Sequence, residues 1–294
     1  MLFLEDLLLI LVFGFIMGAI YLLIALGFSL ICGVLRIFHL GYAYIFPLTV
    51  YGTWFFMREF GFTLIPAIIG MVVVQAAVAL FIYKFMIKTT LDDEFTLLGG
   101  LLLISLIVAE AAAWRYPIQE GVYLATTLRD GIYFIGPAVV SKQLVWSAFI
   151  ALGMTGLFAL FFVKTRMGLA IRALSQDITS SKVVGLNVEK LYIFVMLIVL
   201  VPVIVAMLLV APVWSIDPLL SGWEYMITAI LIAVLGGLGN IKGTIIAAFM
   251  IGIIHAVMCF IVGEPRFMNL SAMALVLVVL IIRPQGIARS ETIW

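Results

Sequence analysis

The chain has 294 residues, of which 66% are hydrophobic and only 11% are charged, and its 16 Lys and Arg residues nearly balance its 15 Asp and Glu residues. Such a composition lacks the polar surface of a water-soluble domain, the basic excess of a nucleic-acid-binding protein and, with two cysteines, the disulfides of a small secreted scaffold. It therefore predicts an integral membrane protein that interacts with the lipid bilayer and not with nucleic acid.

Nine uncharged runs are candidate membrane-spanning segments. A bilayer core of about 30 Å needs about 20 helical residues. Six runs reach that length, and the other three (95–109, 225–241 and 267–282) reach it only with a flanking charge that extends to the interface. None alternates like the strands of a membrane β-barrel. We predict an all-α polytopic membrane protein with eight or nine transmembrane helices. The runs are 7–35, 37–57, 60–83, 95–109, 143–163, 191–216, 225–241, 243–263 and 267–282.

The first run, residues 7–35, is too long for the core of a signal peptide. It also follows Glu5 and Asp6, where a signal peptide would have Lys or Arg. We therefore interpret it as a retained first span. If residues 37–57 cross the membrane, there are nine spans and the N-terminus lies outside. If they only re-enter it, there are eight and the N-terminus lies inside.

The basic residues indicate an orientation, because cytoplasmic loops are enriched in Lys and Arg. With nine spans, five of the 16 would lie outside: Arg58, Arg115, Arg129, Lys142 and Arg266. The C-terminus is predicted to be cytoplasmic with either count of spans. The other eleven would lie inside: Arg36, Lys84, Lys88, Lys164, Arg166, Arg172, Lys182, Lys190, Lys242, Arg283 and Arg289.

Two connections are long. Residues 114–142 are predicted to be external, as an ordered interfacial loop or a short amphipathic cap. Residues 164–190 hold five of the sixteen basic residues and form the largest cytoplasmic loop. Apolar and polar side chains mix after Asp177, which predicts a short surface helix that ends at Gly185, with Asn187 just beyond it.

Two clusters of glycine and polar residues interrupt the hydrophobic pattern. The first break is residues 33–41 and the second is residues 233–243, which contain four glycines, an Asn and a Lys. Non-helical backbone at membrane depth requires protein or a water-filled cavity around it, and paired breaks in the two halves of a transporter indicate a translocation path. The alternative is that each break is a tight loop between hairpin helices. We predict two broken or re-entrant segments beside the path of a solute.

Small residues at four-residue spacing predict close helix packing. Gly14 and Gly18 form one such stripe, and Ala248, Gly252 and Ala256 form another. His255 faces the second stripe. We predict a helix–helix hydrogen bond for it, with contact to a proton or a solute as the alternative.

The sequence contains none of the patterns that would indicate an enzyme. It has no HExxH motif, and in the segment nearest to a phosphate-binding loop, residues 239–244, the Lys precedes the Gly. Cys32 and Cys259 lie inside spans and predict neither a disulfide nor a metal site. We therefore predict no catalytic residues, no metal and no cofactor, and any ATP hydrolysis would occur in a partner subunit. Few carboxylates fall within the spans, which disfavours a carrier driven by protons or sodium.

Four segments together resemble one family, the LivH-type permeases of branched-chain amino acid ABC transporters. The loop at 165–190 resembles that family's cytoplasmic loop, of the form T-x-x-G-x-x-x-R-A, and the segment at 233–256 resembles its A-x-L-G-G-x-G-x-x-x-G pattern. The remaining similarities lie in residues 19–37 and in the ending at 283–287. The four segments read AIYLLIALGFSLICGVLRI, TRMGLAIRALSQDITSSKVVGLNVEK, AVLGGLGNIKGTIIAAFMIGIIHA and RPQGI.

One departure from the family pattern lies in the first break. After the arginine at position 36 the family usually reads I-x-N-F-A-H-G-E. Here the asparagine position carries His39, and the His-Gly-Glu positions carry Tyr42, Ala43 and Tyr44. Because this change lies at a predicted break, it bears on which solute is carried.

The resemblance implies a permease subunit of an ABC importer, a single transmembrane domain over residues 1–294 in a bacterial or archaeal plasma membrane. Its solute would be a branched-chain or other amino acid, or a related small carboxylate or amide. Its partners would be a second permease (LivM-like, or a second copy), two cytoplasmic ATP-binding subunits and an extracytoplasmic binding protein. A carrier or channel that works without an ATPase is the alternative.

The resemblance also implies two groups of functional residues. The predicted solute path comprises His39, Gly41, Tyr42, Tyr44, Gly236, Gly237, Gly239 and Asn240. The predicted contact with the ATPase comprises Asp177, Ile178, Ser181, Lys182, Val184 and Gly185.

Overall fold

The computed structural model describes residues 2–91, 93–117, 121–124 and 128–288, and Arg289 lies outside them. It is helical apart from one small hairpin. The α-helices are α1 (Leu2–Leu35), α2 (Ile45–Glu59), α3 (Leu64–Ile82), α4 (Lys88–Thr90), α5 (Glu94–Arg115), α6 (Lys142–Lys164), α7 (Arg166–Gln176), α8 (Ile178–Val183), α9 (Val188–Ile198), α10 (Leu200–Val210), α11 (Leu220–Gly236), α12 (Ile241–Val257) and α13 (Met268–Ile282). The strands are β1 (Ile132–Ile135) and β2 (Ala138–Ser141).

Seven helical stretches in the described residues are long and apolar enough to span a membrane, which confirms the predicted all-α polytopic class. α11 is a shorter apolar helix of 17 residues. The run at 37–57 forms a 3-10 turn, Leu40–Tyr44, followed by the 15 residues of α2. The predicted eight or nine passes are reached only when these shorter elements are counted. The seven stretches are Glu5–Leu35, Leu64–Thr90, Glu94–Arg115, Lys142–Lys164, Val188–Val210, Ile241–Val262 and Pro265–Ile282.

Antiparallel packing of α1 on α12 forms the centre of the bundle. A Cβ at Gly14 would lie 2.9 Å from the Cα of Ile253, and a Cβ at Gly252 would lie 2.5 Å from the carbonyl oxygen of Gly14. The predicted small-residue stripes therefore do allow close backbone contact. His255 has the helix–helix partner predicted for it, since its Nδ1 lies 3.0 Å from the Oη of Tyr21 on α1.

One end of the bundle, called here the basic end, gathers the termini of α1, α3, α11 and α13 and the segment that contains α7 and α8. Lys88 pairs with Glu189 at 2.6 Å there. The N–H of Ile287 donates to the carbonyl of Leu235 at 2.8 Å, which brings the residues after α13 against the end of α11. Glu59 and Arg115 pair at the opposite end.

The connection at 114–142 differs from the prediction of an interfacial loop or amphipathic cap. It contains the antiparallel hairpin β1–β2, in which Ile135 pairs with Ala138 across a turn at Gly136. Gly136 has φ +61°, which the turn requires and which favours glycine. Residues 118–120 and 125–127 of this connection lie outside the described residues.

The predicted span at 191–216 is divided into α9 and α10 at Val199. Pro202 follows the interruption. Because proline has no N–H, the carbonyl of Ile198 loses its helical partner, which explains the interruption at Val199. α10 then ends at Val210, before Pro212.

Candidate translocation site and α8 segment

The first break begins directly after α1. Arg36 has φ +55° and donates its N–H to the carbonyl of Cys32 at 3.1 Å, so it occupies the left-handed position that commonly ends a helix. Within the described residues it is the one non-glycine residue with positive φ. The chain turns here and enters the 3-10 segment at Leu40.

The predicted path residues of the first break are buried in this conformation. His39 and Tyr42 are 0% exposed and Tyr44 is 1% exposed, and Gly41 packs against the carbonyl of Leu101 on α5. The Tyr42 hydroxyl donates to the carbonyl of Ile24 at 2.8 Å. Both ring nitrogens of His39 lack a hydrogen-bond partner. In this conformation the four residues are therefore packed inside the bundle and do not face an open path.

The second break connects α11 to α12 through closely packed backbone. Gly237 and Gly239 have φ +93° and +78°, and the Asn240 side chain caps α12 by accepting the N–H of Gly243 at 3.0 Å. A Cβ added at Gly243 would overlap the carbonyl oxygen of Gly236. These glycines are therefore needed for the turn itself.

The two breaks contact each other at the basic end, and the contact involves the N-terminal part of the first break. A Cβ at Gly33 would lie 2.6 Å from the Cα of Gly239. The N–H of Gly239 donates to the Ser29 hydroxyl at 3.0 Å. Gly33 and Gly239 also line a small cavity of about 90 Å³. His39, Tyr42 and Tyr44 are not part of this contact, so the structure brings together only part of the predicted site.

A larger cavity of about 370 Å³ lies between both breaks, the start of α5, and helices α8 and α9. None of the eight predicted path residues is among those that line it. Its walls are mainly apolar and include one cationic side chain, one carboxylate and one phenol. Residues that define it are Arg36, Phe38, Glu94, Ile178, Tyr192 and Leu238.

The three polar residues of this cavity are absent from the site residues that were predicted from the sequence. Arg36 and Glu94 had a sequence signal, because each is a charge at the edge of an uncharged run. Tyr192 had none, since an aromatic residue near the start of a span is common.

The predicted contact with an ATPase forms a defined element, called here the α8 segment (residues 177–185). Asp177 caps α8 by accepting the Thr179 N–H at 2.8 Å and the Ser180 hydroxyl. The Ser180 hydrogen bond, followed by that of Thr179, lowers the pKa of the Asp177 carboxyl. The cap therefore stabilises the fold above the ordinary pKa of Asp177 and is lost as the pH falls through the lowered value. The segment ends at Gly185, with φ +86°.

The two sides of the α8 segment differ in exposure. Ile178 is half-buried and Ser181 is buried, so this side faces the bundle. Lys182, Val183 and Val184 point outward, and the two valines are 83% and 80% exposed. Adjacent exposed apolar side chains at the tip of a polar segment are typical of a contact surface.

Known proteins similar to this chain are transport proteins. The family model described as "Branched-chain amino acid transport system / permease component" matches residues 10–283. The high-affinity branched-chain amino acid transport system permease protein BraD of Pseudomonas aeruginosa is 24% identical, with 94% of each chain covered. The corresponding protein LivH of Escherichia coli K12 is 23% identical, with 93% of this chain and 92% of LivH covered.

A solved structure, PsaBC from Streptococcus pneumoniae in complex with Fab, has a similar fold. Its TM-score is 0.53 at 14% sequence identity, and the alignment covers 93% of this chain and 91% of that chain. The family resemblance predicted from the sequence is confirmed by the family model and by the two relatives. With seven helical stretches long enough to cross a membrane among the described residues and a family match over residues 10–283, this multi-pass chain belongs to the permease components of branched-chain amino acid transport systems.

Proposed function

We propose that this chain is the membrane-spanning permease subunit of an ABC importer that moves a small polar solute, such as a branched-chain or other amino acid. Separate ATP-binding subunits would drive transport. The observation that carries the proposal is the α8 segment, which presents Lys182, Val183 and Val184 at the basic end of a chain in this family.

We propose that the exposed side of the α8 segment docks into a groove of a cytoplasmic ATPase. Its inner side is held by burial of Ser181 and by the Asp177 cap, so the backbone is fixed before any partner binds. Preorganised contact residues lose less entropy on binding. The valines supply apolar area, and Lys182 supplies a charge that can select an acidic partner surface.

The distribution of charged residues supports a transporter that is driven by ATP-binding subunits and not by an ion gradient. Among the residues that the structure describes, no Asp, Glu, Lys or Arg is buried. Ion-coupled carriers place such groups inside the bundle. A carrier or channel that works without an ATPase is therefore the less favoured alternative.

The large cavity suits an amphipathic zwitterion. Arg36 can attract a carboxylate, Glu94 can attract an ammonium group, and the apolar walls can contact an aliphatic side chain. A closed layer of predicted path residues from the first break lies beside this cavity. We propose that this layer and the predicted residues of the second break line the path when the two halves of the bundle move. The residues are His39, Gly41, Tyr42 and Tyr44 of the first break and Gly236, Gly237, Gly239 and Asn240 of the second.

The proposed complex contains a second permease, two ATP-binding subunits at the basic end and an extracytoplasmic binding protein at the opposite end. The concentration of Lys and Arg supports a cytoplasmic location for the basic end, and we propose that the C-terminus is cytoplasmic too, in a bacterial or archaeal cell. The whole chain would act as one permease domain with the loop at 164–190 as its contact with the ATPase.

Reconstitution tests this function. We expect the chain to co-purify with ATP-binding subunits expressed in the same cells, and proteoliposomes of the full complex to accumulate an amino acid only with ATP and the binding protein. A ligand screen of the binding protein names the solute to use. Accumulation by the chain alone, without ATP, would instead identify a carrier or channel.

Substitution of the buried tyrosines tests the path. We expect Tyr42→Ala and Tyr44→Ala to slow uptake or to change its selectivity between two amino acids of different size. Tyr42→Phe is the matched control for packing, because it keeps the ring and loses only a hydrogen bond worth about 1 kcal/mol. Unchanged selectivity in the alanine variants, with only a lower melting temperature, would identify these residues as packing alone.

A further inference from the structure

Arg36 lies where three features of the proposed mechanism meet: the end of α1, the junction of α7 with α8, and the large cavity. We propose that Arg36 is a positioning residue that joins movement of the α8 segment to the opening of the cavity beside the first break. This inference rests on the function proposed above, because it assumes that an ATPase moves the α8 segment.

The guanidinium of Arg36 makes two hydrogen bonds to a distant part of the chain. Its Nη2 donates to the carbonyls of Ser175 at 2.9 Å and Gln176 at 2.8 Å, which are the last two residues of α7. The final carbonyls of a helix have no partner within it and carry partial negative charge. A cationic donor makes the stronger class of hydrogen bond with them. Arg36 therefore ties the junction immediately before Asp177 to the end of α1.

The backbone conformation of Arg36 indicates that its side chain has a role other than helix termination. A residue with φ +55° directly after a helix is usually glycine, because a Cβ is unfavourable there. An arginine at this position is under that strain, and its guanidinium contacts the end of α7. The sharp turn also sets the direction in which residues 37–39 leave the helix.

The large cavity connects this tie to the proposed path. Arg36 lines it together with Phe38 of the same turn, Ile178 of α8 and Leu238 of the second break. A shift of α8 would carry Ser175 and Gln176 with it and would pull on Arg36. Because packed elements move as units rather than deform, the turn at 36–38 would follow and change the width of the cavity.

The test uses the reconstituted complex of permeases, ATP-binding subunits and binding protein, and it measures solute taken up per ATP hydrolysed. Arg36→Gly removes the guanidinium but suits the left-handed backbone, so this variant should fold. We expect it to keep ATP hydrolysis and to lose at least about tenfold in uptake per ATP, the equivalent of one charged hydrogen bond. Arg36→Lys should recover part of the loss, because an ammonium group can reach one carbonyl but lacks the fork of a guanidinium.

A second measurement follows the cavity directly. Cys32 lines it, and Cys259→Ser leaves Cys32 as the one thiol of the chain. Cys32 is fully buried in this structure, so a small membrane-impermeant maleimide can reach it only when the cavity opens. With this variant, and with no solute present, we expect the maleimide to label Cys32 several-fold faster when ATP is added. In Arg36→Gly the rate should no longer depend on ATP. A tie that served stability alone would leave this dependence intact.

The matched control is Lys84→Ala, which removes another exposed basic side chain at the basic end without a bond to α7 or α8. It should keep the wild-type ratio of uptake to ATP hydrolysis. Wild-type values of that ratio and of the labelling response in Arg36→Gly would overturn the inference, and so would equal labelling of Cys32 with and without ATP in the otherwise wild-type complex. A wild-type complex without ATP-dependent uptake would instead contradict the proposed function.

Discussion

The double variant Lys182→Glu with Val184→Asp should remain folded in the membrane and should abolish ATP-driven uptake. Both side chains are exposed and neither supports the bundle, so the free energy of unfolding of the permease should change by less than about 0.5 kcal/mol. If each of these two contact residues contributes about 2 kcal/mol of binding free energy, their loss would weaken binding of the ATPase by about a thousandfold. Co-purification of the ATP-binding subunits and uptake into proteoliposomes measure the two effects.

The control for this experiment is Lys84→Glu, a charge reversal at the same end of the bundle but outside the α8 segment. It should retain both the ATP-binding subunits and uptake. A two-residue insertion after Val183 gives an independent disruption, since it displaces the tip of the segment without adding charge. Normal uptake in the double variant and in the insertion would exclude this segment as the point of coupling.

Gly243→Ala should strongly destabilise the protein. The added Cβ would overlap the carbonyl oxygen of Gly236; the backbone of residue 243 fixes the position of this Cβ, and the oxygen is itself a backbone atom, so neither can rotate away. Forced overpacking typically costs up to about 3 kcal/mol and sometimes more, a large part of the stability of a protein. We expect a lower yield of monodisperse protein in detergent and a melting temperature several degrees below that of the wild type.

Gly156→Ala is the matched control, because it makes the same substitution inside α6 where a Cβ would meet no atom within 4 Å. It should be neutral or slightly stabilising, since alanine favours a helix over glycine by about 1 kcal/mol. Equal melting temperatures for the two variants would show that the second break is looser than its packing indicates.

The second break was predicted more completely than the first. Glycine and asparagine signals are local, so the interruption between α11 and α12 was predicted from the order of residues, whereas the cap that Asn240 forms on α12 was seen only in the structure. At the first break the sequence marked the interruption, but the 3-10 segment and the burial of His39, Tyr42 and Tyr44 depend on α1, α5 and α11, which pack around it.

The hairpin at 132–141 was also not predicted from the sequence. Its strands have four residues each, and such short apolar runs do not distinguish a strand from an ordered loop. The α8 helix was predicted because Asp177 and Gly185 mark its two ends.

The sequence by itself determined the membrane class, the stripes of small residues and the family, because these depend on composition and on spacing within a few turns of helix. Only the tertiary structure decided that Gly33 meets Gly239, that Arg36 reaches the end of α7 and that a cavity lies between them. These contacts join residues more than 130 positions apart. No local pattern encodes them, since the packing of whole helices determines which distant residues lie side by side.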